Sequence, residues 1–274
     1  MAGHHQIIIA QQATRLPDLR ELWAFREVLW ILTLRDLRIR YKQTAIGIAW
    51  ALVQPLMTMV VFSLIFGRLG KLPSEGLPYP VFVLTALLPW QLFARALTAG
   101  SSSMVSMGGM MAKIYFPRLI APLSSVLSGV IDFAIAFALL IALMVYYGTW
   151  PGPQIAFAPL FILLALAAAF SVSLWLSAVN TEYRDVQHAM PFITQIWLFL
   201  TPVIYPVAMI PEKWKWLYVL NPMVSVVEGF RWTLVGGRTP EAWVLAVSTF
   251  SIFVLTLGGL VYFARFERKF VDRL

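Results

Sequence analysis

The chain has 274 residues, 60% of them hydrophobic and only 12% charged, with a mean hydropathy of +0.77. Soluble domains carry roughly a quarter charged residues, so this composition excludes a large soluble domain and points to a bilayer. The net charge of +8 does not indicate nucleic-acid binding, because the basic residues sit beside apolar runs instead of forming a stripe with stacking aromatics.

Residues 1–18 read as a tail. They contain no short apolar core ending in a small-residue cleavage site, so no signal peptide is expected. His4 and His5 belong to that tail and are not expected to bind metal. The absence of Cys rules out disulfides and thiol chemistry. Residues 19–43 form an amphipathic helix when placed at 100° per residue. Arg20, Glu21, Glu27, Arg35, Arg38 and Lys42 fall in an arc of roughly 120°. Leu22, Phe25, Leu29 and Leu32 lie opposite, Trp23, Trp30, Leu34 and Leu37 flank them, and Arg26, Asp36 and Arg40 break the pattern. Such a helix lies in the headgroup plane. It serves either as an anchor or as a docking platform whose charges face water.

The basic end of this helix passes directly into an uncharged run of the length that crosses a bilayer, about 20 residues. Residues 44–263 then read as one transmembrane domain with six spans, at about 44–66, 79–97, 119–147, 155–178, 189–210 and 243–263. The third run is too long for one perpendicular helix and is expected to tilt or to start outside the core near Pro122. With the N-terminus inside, inner segments hold fifteen Lys and Arg and outer segments hold six, which predicts cytoplasmic termini on both sides. Residues 264–274 are a cytoplasmic tail. The fold class is therefore an all-α polytopic membrane protein.

Residues 211–240 are neither a clean span nor a clean loop, and within them Met223–Trp232 is too apolar for a free loop and too charged and short for a span. Two short helices broken at Asn221-Pro222 fit this stretch, dipping into the outer leaflet and returning. Glu228 and Arg231 are spaced to pair on one helical face. Trp214, Trp216 and Trp232 suit either an interfacial belt or a gate. Trp50, Gln54, Trp197 and Tyr205 put aromatic and amide groups inside spans one and five. They fit either a path for sugar rings or ordinary packing between helices. Pro55, Pro89, Pro191, Pro202 and Pro206 are expected to kink their spans.

Catalytic constellations are missing from the sequence. No GxxxxGK motif followed by Ser or Thr is present, so the chain is not expected to hydrolyse ATP; Gly67-Arg68-Leu69-Gly70-Lys71-Leu72 has the wrong spacing. No cluster has metal-ligand spacing. His188 is the only His outside the tail and reads as a packing residue at a span edge. Asp132 is the one acidic residue well inside a span. It is either a coupling site for protons or sodium or, more simply, a hydrogen-bonding group reaching Ser or Thr on a neighbouring helix. Arg95 is expected to snorkel to the inner surface.

Three blocks carry a resemblance to a known family: RDLRIRYKQTAIGIAWALVQPL (Arg35 to Leu56), NTEYRDVQHAMPFITQIWLFLTPVIYP (Asn180 to Pro206) and NPMVSVVEGFRWTLVG (Asn221 to Gly236). With LPWQLFARAL and KIYFPRLIAPLSSVLSGVIDFAIAF, they resemble the permease subunit of ABC-2-type polysaccharide exporters, most closely those for O-antigen. The resemblance implies a homodimer in the bacterial inner membrane with a pathway between the copies. It also implies two copies of a separate cytoplasmic ATPase that bind ATP and Mg, and a lipid-linked polysaccharide as substrate. Capsule, teichoic-acid, lipid and drug exporters share the plan. On this likeness Arg35, Arg38, Arg40, Lys42, Lys113, Arg118, Glu182, Tyr183, Arg184 and Asp185 match ATPase-docking elements. Gln43 and Thr44 become a hinge. Trp214, Trp216, Asn221, Glu228, Arg231 and Trp232 match an outer gate.

Overall fold

A computed structural model describes residues 19–42, 47–236 and 239–271. Among these residues all regular structure is helical. An amphipathic pair, α1 (Leu19–Ala24) and α2 (Arg26–Tyr41), bends at Phe25 and precedes the bundle. The helix α3 (Trp50–Phe62) runs on as a π-helix over Ser63–Leu69. Next come α4 (Tyr79–Met111), α5 (Ile120–Leu127), α6 (Gly129–Tyr147) and α7 (Ala158–Glu182). The remainder is α8 (Asp185–Phe199), α9 (Glu212–Tyr218), α10 (Pro222–Val235) and α11 (Ala242–Val271).

Among the described residues five segments are long and apolar enough to span a membrane: Trp50–Leu69, Tyr79–Met111, Ile120–Tyr147, Pro153–Glu182 and Ala242–Phe266. Hydropathy located all five, but their ends differ from expectation. The second span does not stop at Leu97. It continues to Met111, because Met104 and Met107 on that extension are buried under α1 and α2. In the third run Ser128, between α5 and α6, keeps right-handed helical angles, so the two helices follow on directly. The predicted fifth span, 189–210, is α-helical only as far as Phe199, with a single 3-10 turn at Val207–Met209. At 15 residues, α8 is shorter than a crossing needs. Pro202 and Pro206 account for the early stop, because each removes a donor and disfavours helix in the residue before it.

Burial shows how the bundle is organised. In α4 78% of the span window is buried inside the protein, against 17% for the first span, so α4 is the central post and α3 a peripheral helix. α7 packs along α4, α11 along α7, and α5 and α6 along α4. α10 is inserted against α4, α7 and α11, with Met223, Val226, Val227, Phe230 and Leu234 fully buried. The helix pair around Asn221-Pro222 is therefore present, but its second arm is a core element. Small residues allow these close approaches. A Cβ on Gly229 would overlap the Phe161 ring, and one on Gly100 would overlap Ser173. Gly229→Ala is expected to cost about 1–3 kcal/mol through overpacking. Thermal unfolding in detergent should show the loss, and Phe161→Leu in the same chain should return part of it. An unchanged midpoint in Gly229→Ala would contradict this packing.

Candidate functional site

Functional candidates gather at two opposite ends of the bundle. At one end α2 lies across α5, and Leu22, Phe25, Val28, Leu29 and Leu32 cover Met104, Met107, Phe116, Ile120, Leu174 and Phe263. The apolar face expected to rest in headgroups therefore covers protein. Trp23 and Trp30, which flank that face, and Ile31, on the charged side, remain exposed. Two of the three residues that broke the amphipathic pattern, Asp36 and Arg40, make the polar part of the contact with Thr33, while Arg26 donates to the Trp23 carbonyl. Thr33 Oγ1 lies 3.5 Å from the Ser124 carbonyl, Ser125 Oγ donates to Asp36 at 3.2 Å, and Arg40 Nη2 donates to Ser128 Oγ at 3.0 Å. Thr33, Asp36 and Arg40 follow helical spacing and meet Ser124, Ser125 and Ser128 in order.

This stripe ends on Asp132, which is only 2% exposed. Arg40 Nη1 approaches its Oδ2 at 2.5 Å and Arg95 Nη1 approaches the same oxygen at 3.3 Å. Tyr41 donates its hydroxyl to Oδ1. Burial, reinforced by that hydrogen bond, pushes the Tyr41 phenol up to about 12, so it remains a donor. Arg95 also donates to Gln54 Oε1 at 2.7 Å. The carboxylate thus joins α2, α3, α4 and α6 instead of bonding only Ser or Thr hydroxyls. Arg95 does not snorkel; it turns toward this carboxylate. Arg40 is likewise turned into the bundle. Sequence separation hid the pairing: Arg40 and Asp132 are 92 positions apart.

The remaining docking candidates stand at the same end. Arg38, Lys42 and Lys113 are exposed, as are Glu182, Tyr183, Arg184 and Asp185 at the α7–α8 junction. Arg35 is held by Asp36 at 2.7 Å, and Arg118 is half-buried. Tyr183 takes an extended conformation that ends α7 and throws the junction outward. Just before it, buried Asn180 donates to the Ser101 carbonyl at 3.0 Å and fixes α7 to α4. Gln43 and Thr44, read as a hinge, lie outside the described residues.

Trp50, Gln54, Trp197 and Tyr205 do not share one surface. Trp50 and Gln54 line an open cleft of about 580 Å³ together with Arg40, Arg95, Asp132 and Thr194. Trp197 belongs to a separate apolar groove of about 460 Å³, formed with Leu200, Trp214, Leu217 and Tyr218. Tyr205 is engaged at the end of α8, donating to the Phe199 carbonyl at 2.7 Å and accepting from Tyr218 at 3.3 Å.

At this opposite end the unwound segment after α8 is held by side chains. Asn221 caps α10 by accepting from the Met223 N–H at 3.0 Å and also accepts from Trp197 Nε1 at 2.9 Å. Its amide donates to the Leu200 carbonyl at 2.9 Å. Tyr79 donates to the Ile204 carbonyl at 2.8 Å. Arg231, 4% exposed, pairs with Glu228 at 2.9 Å, donates to the Pro202 carbonyl at 2.7 Å and stacks 3.9 Å over Phe82. The expected Glu228–Arg231 pair is therefore present, with a second attachment that spacing did not reveal. Trp214 and Trp216 point out of α9, and Trp232 is half-buried near Phe157. Lys215 binds Glu241 at 2.9 Å, and that hydrogen bond raises its ammonium above the usual lysine value despite opposing desolvation.

Comparison with known proteins accounts for this plan. Over 252 residues the chain is 28% identical to the O-antigen export system permease protein RfbA of Myxococcus xanthus, covering 90% of this chain and 96% of that one. The Klebsiella pneumoniae RfbA permease is 27% identical over 249 residues, 90% of this chain and 95% of that one. The polysialic acid transport protein KpsM of Escherichia coli is 25% identical over 245 residues, 86% and 92% of the two chains. The ABC-2 type transporter family matches residues 27–235, from the start of α2 through the end of α10, and the chain belongs to that family.

Proposed function

We propose that this chain is the membrane-spanning permease of an ATP-driven exporter that moves a lipid-linked polysaccharide of the O-antigen type out of the cytoplasm. The similarity to the two RfbA permeases across nearly the whole chain carries the reading. The permease contributes a path and a docking surface, and a separate ATPase supplies ATP hydrolysis with Mg. It sits in the bacterial inner membrane with both termini cytoplasmic, and two copies enclose the path. α8 with the unwound segment after it completes a sixth, broken crossing. Irregular backbone is tolerated at membrane depth where protein satisfies it, and Asn221, Tyr79 and Arg231 do so here. α9 and α10 form the outer gate.

The exposed groups Arg38, Lys42, Lys113, Glu182, Tyr183, Arg184 and Asp185 form the seat of the ATPase. They cluster at one end beside helices that run through the bundle, so motion imposed there is passed to α4 and α7. Co-expression with the partner ATPase tests this. Glu182→Ala with Arg184→Ala is expected to reduce ATPase co-purification and polysaccharide export by at least about tenfold, the scale of two interface residues costing more than ~1 kcal/mol each. Unchanged association and export would remove the docking role. The likeness to the polysialic acid transport protein favours a capsule polymer as second reading. Accumulation of cytoplasmic O-antigen or of capsule polymer on depletion of the chain separates the two.

A further inference from the structure

The exporter reading leaves Asp132 without a task, although it is the acidic group at the meeting point of four helices. Its Oδ2 is shared by two guanidinium groups that come from different elements and compete for the same oxygen. Each guanidinium has its own second anchor: Ser128 Oγ for Arg40 and Gln54 Oε1 for Arg95. Removing the only partner of a buried charge is strongly unfavourable because the charge is left uncompensated. A carboxylate with two cationic partners escapes that penalty when one of them leaves. Arg40 is the partner suited to leave. It sits at the end of α2, its side chain is 32% exposed, and water can take over its hydration outside the bundle. Arg95 lies on α4, the most enclosed span.

We propose that Asp132 is a shared counterion that lets the C-terminal end of α2 disengage from the bundle during transport, with Arg95 keeping the carboxylate compensated. Arg40, Arg95 and Asp132 are then positioning residues for the transport cycle. In the engaged state Oδ2 holds both arginines and α2 is seated. In the released state Arg40 and Tyr41 withdraw, Arg95 moves fully onto the carboxylate, and its bond to Gln54 weakens. Because Gln54 lies on α3 and lines the open cleft, unseating α2 alters the cleft wall directly. This role rests on the transporter reading but not on the identity of the cargo.

Hydrogen exchange on the permease in lipid nanodiscs tests the exchange of partners. In the permease alone, Asp132→Asn is expected to speed exchange of the amides at Leu37–Tyr41 by roughly tenfold or more, leaving α4 and α7 unchanged. Arg40→Gln should do the same, whereas Arg95→Gln should leave the α2 seat intact. Combining Arg40→Gln with Arg95→Gln should destabilise α6 far beyond the sum of the single changes, and adding Asp132→Asn should relieve that excess. Additive effects, or equal loosening of α2 and α4, would overturn the proposal. With the ATPase bound, a non-hydrolysable ATP analogue should deprotect Leu37–Tyr41 in the wild type but leave them protected in Arg95→Gln. Protection unaffected by nucleotide in both would also overturn it. If nucleotide unseats α2 while no polysaccharide is exported, the counterion role stands and the cargo assignment fails.

Discussion

Arg231→Met is expected to destabilise the protein by about 3–5 kcal/mol, the range for breaking a buried ion pair by removing one partner. Arg231 is 4% exposed, so no water replaces it. Its removal takes away the guanidinium that the Glu228 carboxylate meets at 2.9 Å and the donor that the Pro202 carbonyl meets at 2.7 Å. Met keeps much of the stem volume and the contact with Phe82, so the loss reports the charge and its hydrogen bonds. Arg231→Lys should recover only part of it, because a single ammonium cannot reach carboxylate and carbonyl with a planar fork. Thermal unfolding in detergent measures the effect. A shift corresponding to less than ~1 kcal/mol would mean that the segment after α8 holds its shape without Arg231. The double variant Arg231→Met with Glu228→Gln should be milder than Arg231→Met alone, since a neutral amide loses less than a carboxylate when the guanidinium is gone.

The contrast between the two ends explains what was legible in the sequence. Membrane spans are long apolar runs, and hydropathy found the five that are continuous helices. The limits of those helices depend on what covers them, which a linear pattern does not record. The stretch from Ser101 lies beyond the predicted end of the second span at Leu97, yet it is helical as far as Met111 because α1 and α2 seal Met104 and Met107. Pro202 and Pro206 signalled a kink in the fifth span, but that the helix ends at Phe199 depends on distant acceptors and donors. Asn221, Tyr79 and Arg231 satisfy the freed carbonyls and make the break affordable. The short-range pair Glu228–Arg231 was visible from spacing, and the long-range pair Arg40–Asp132 was not.

Irregular residues in an otherwise regular pattern were the most useful signal that went unread. Asp36 and Arg40 interrupted the apolar side of the amphipathic helix, and both turn out to be its polar contacts with α5 and α6. A charge on the wrong face of such a helix points to a buried partner of complementary character. Only one carboxylate in the spans was available for Arg40. Charge bookkeeping over the whole chain therefore contained the pairing, although hydropathy and periodicity did not.

Asp132→Ala is expected to cost about 2–3 kcal/mol, below the figure for Arg231 although Asp132 is equally enclosed. The difference lies in what is left behind. Arg40 and Arg95 have side chains 32% and 25% exposed, so both guanidiniums recover hydration when the carboxylate is gone. Asp132→Asn should cost less again, because the amide oxygen still accepts from Tyr41, and Arg40→Gln should cost least, because Arg95 remains on the carboxylate. Melting of the four proteins in one detergent gives the ranking. The same Asn variant discriminates the mechanisms considered for this residue. In a proton-coupled or sodium-coupled carrier, Asp132→Asn abolishes transport while stability is nearly unchanged and no ATPase is required. In an ATPase-driven permease, the loss of transport follows the loosening of α2, and Asp132→Glu, which keeps a carboxylate for Arg40 and Arg95, retains part of both. Transport abolished in Asp132→Asn with α2 still seated would contradict the seating role.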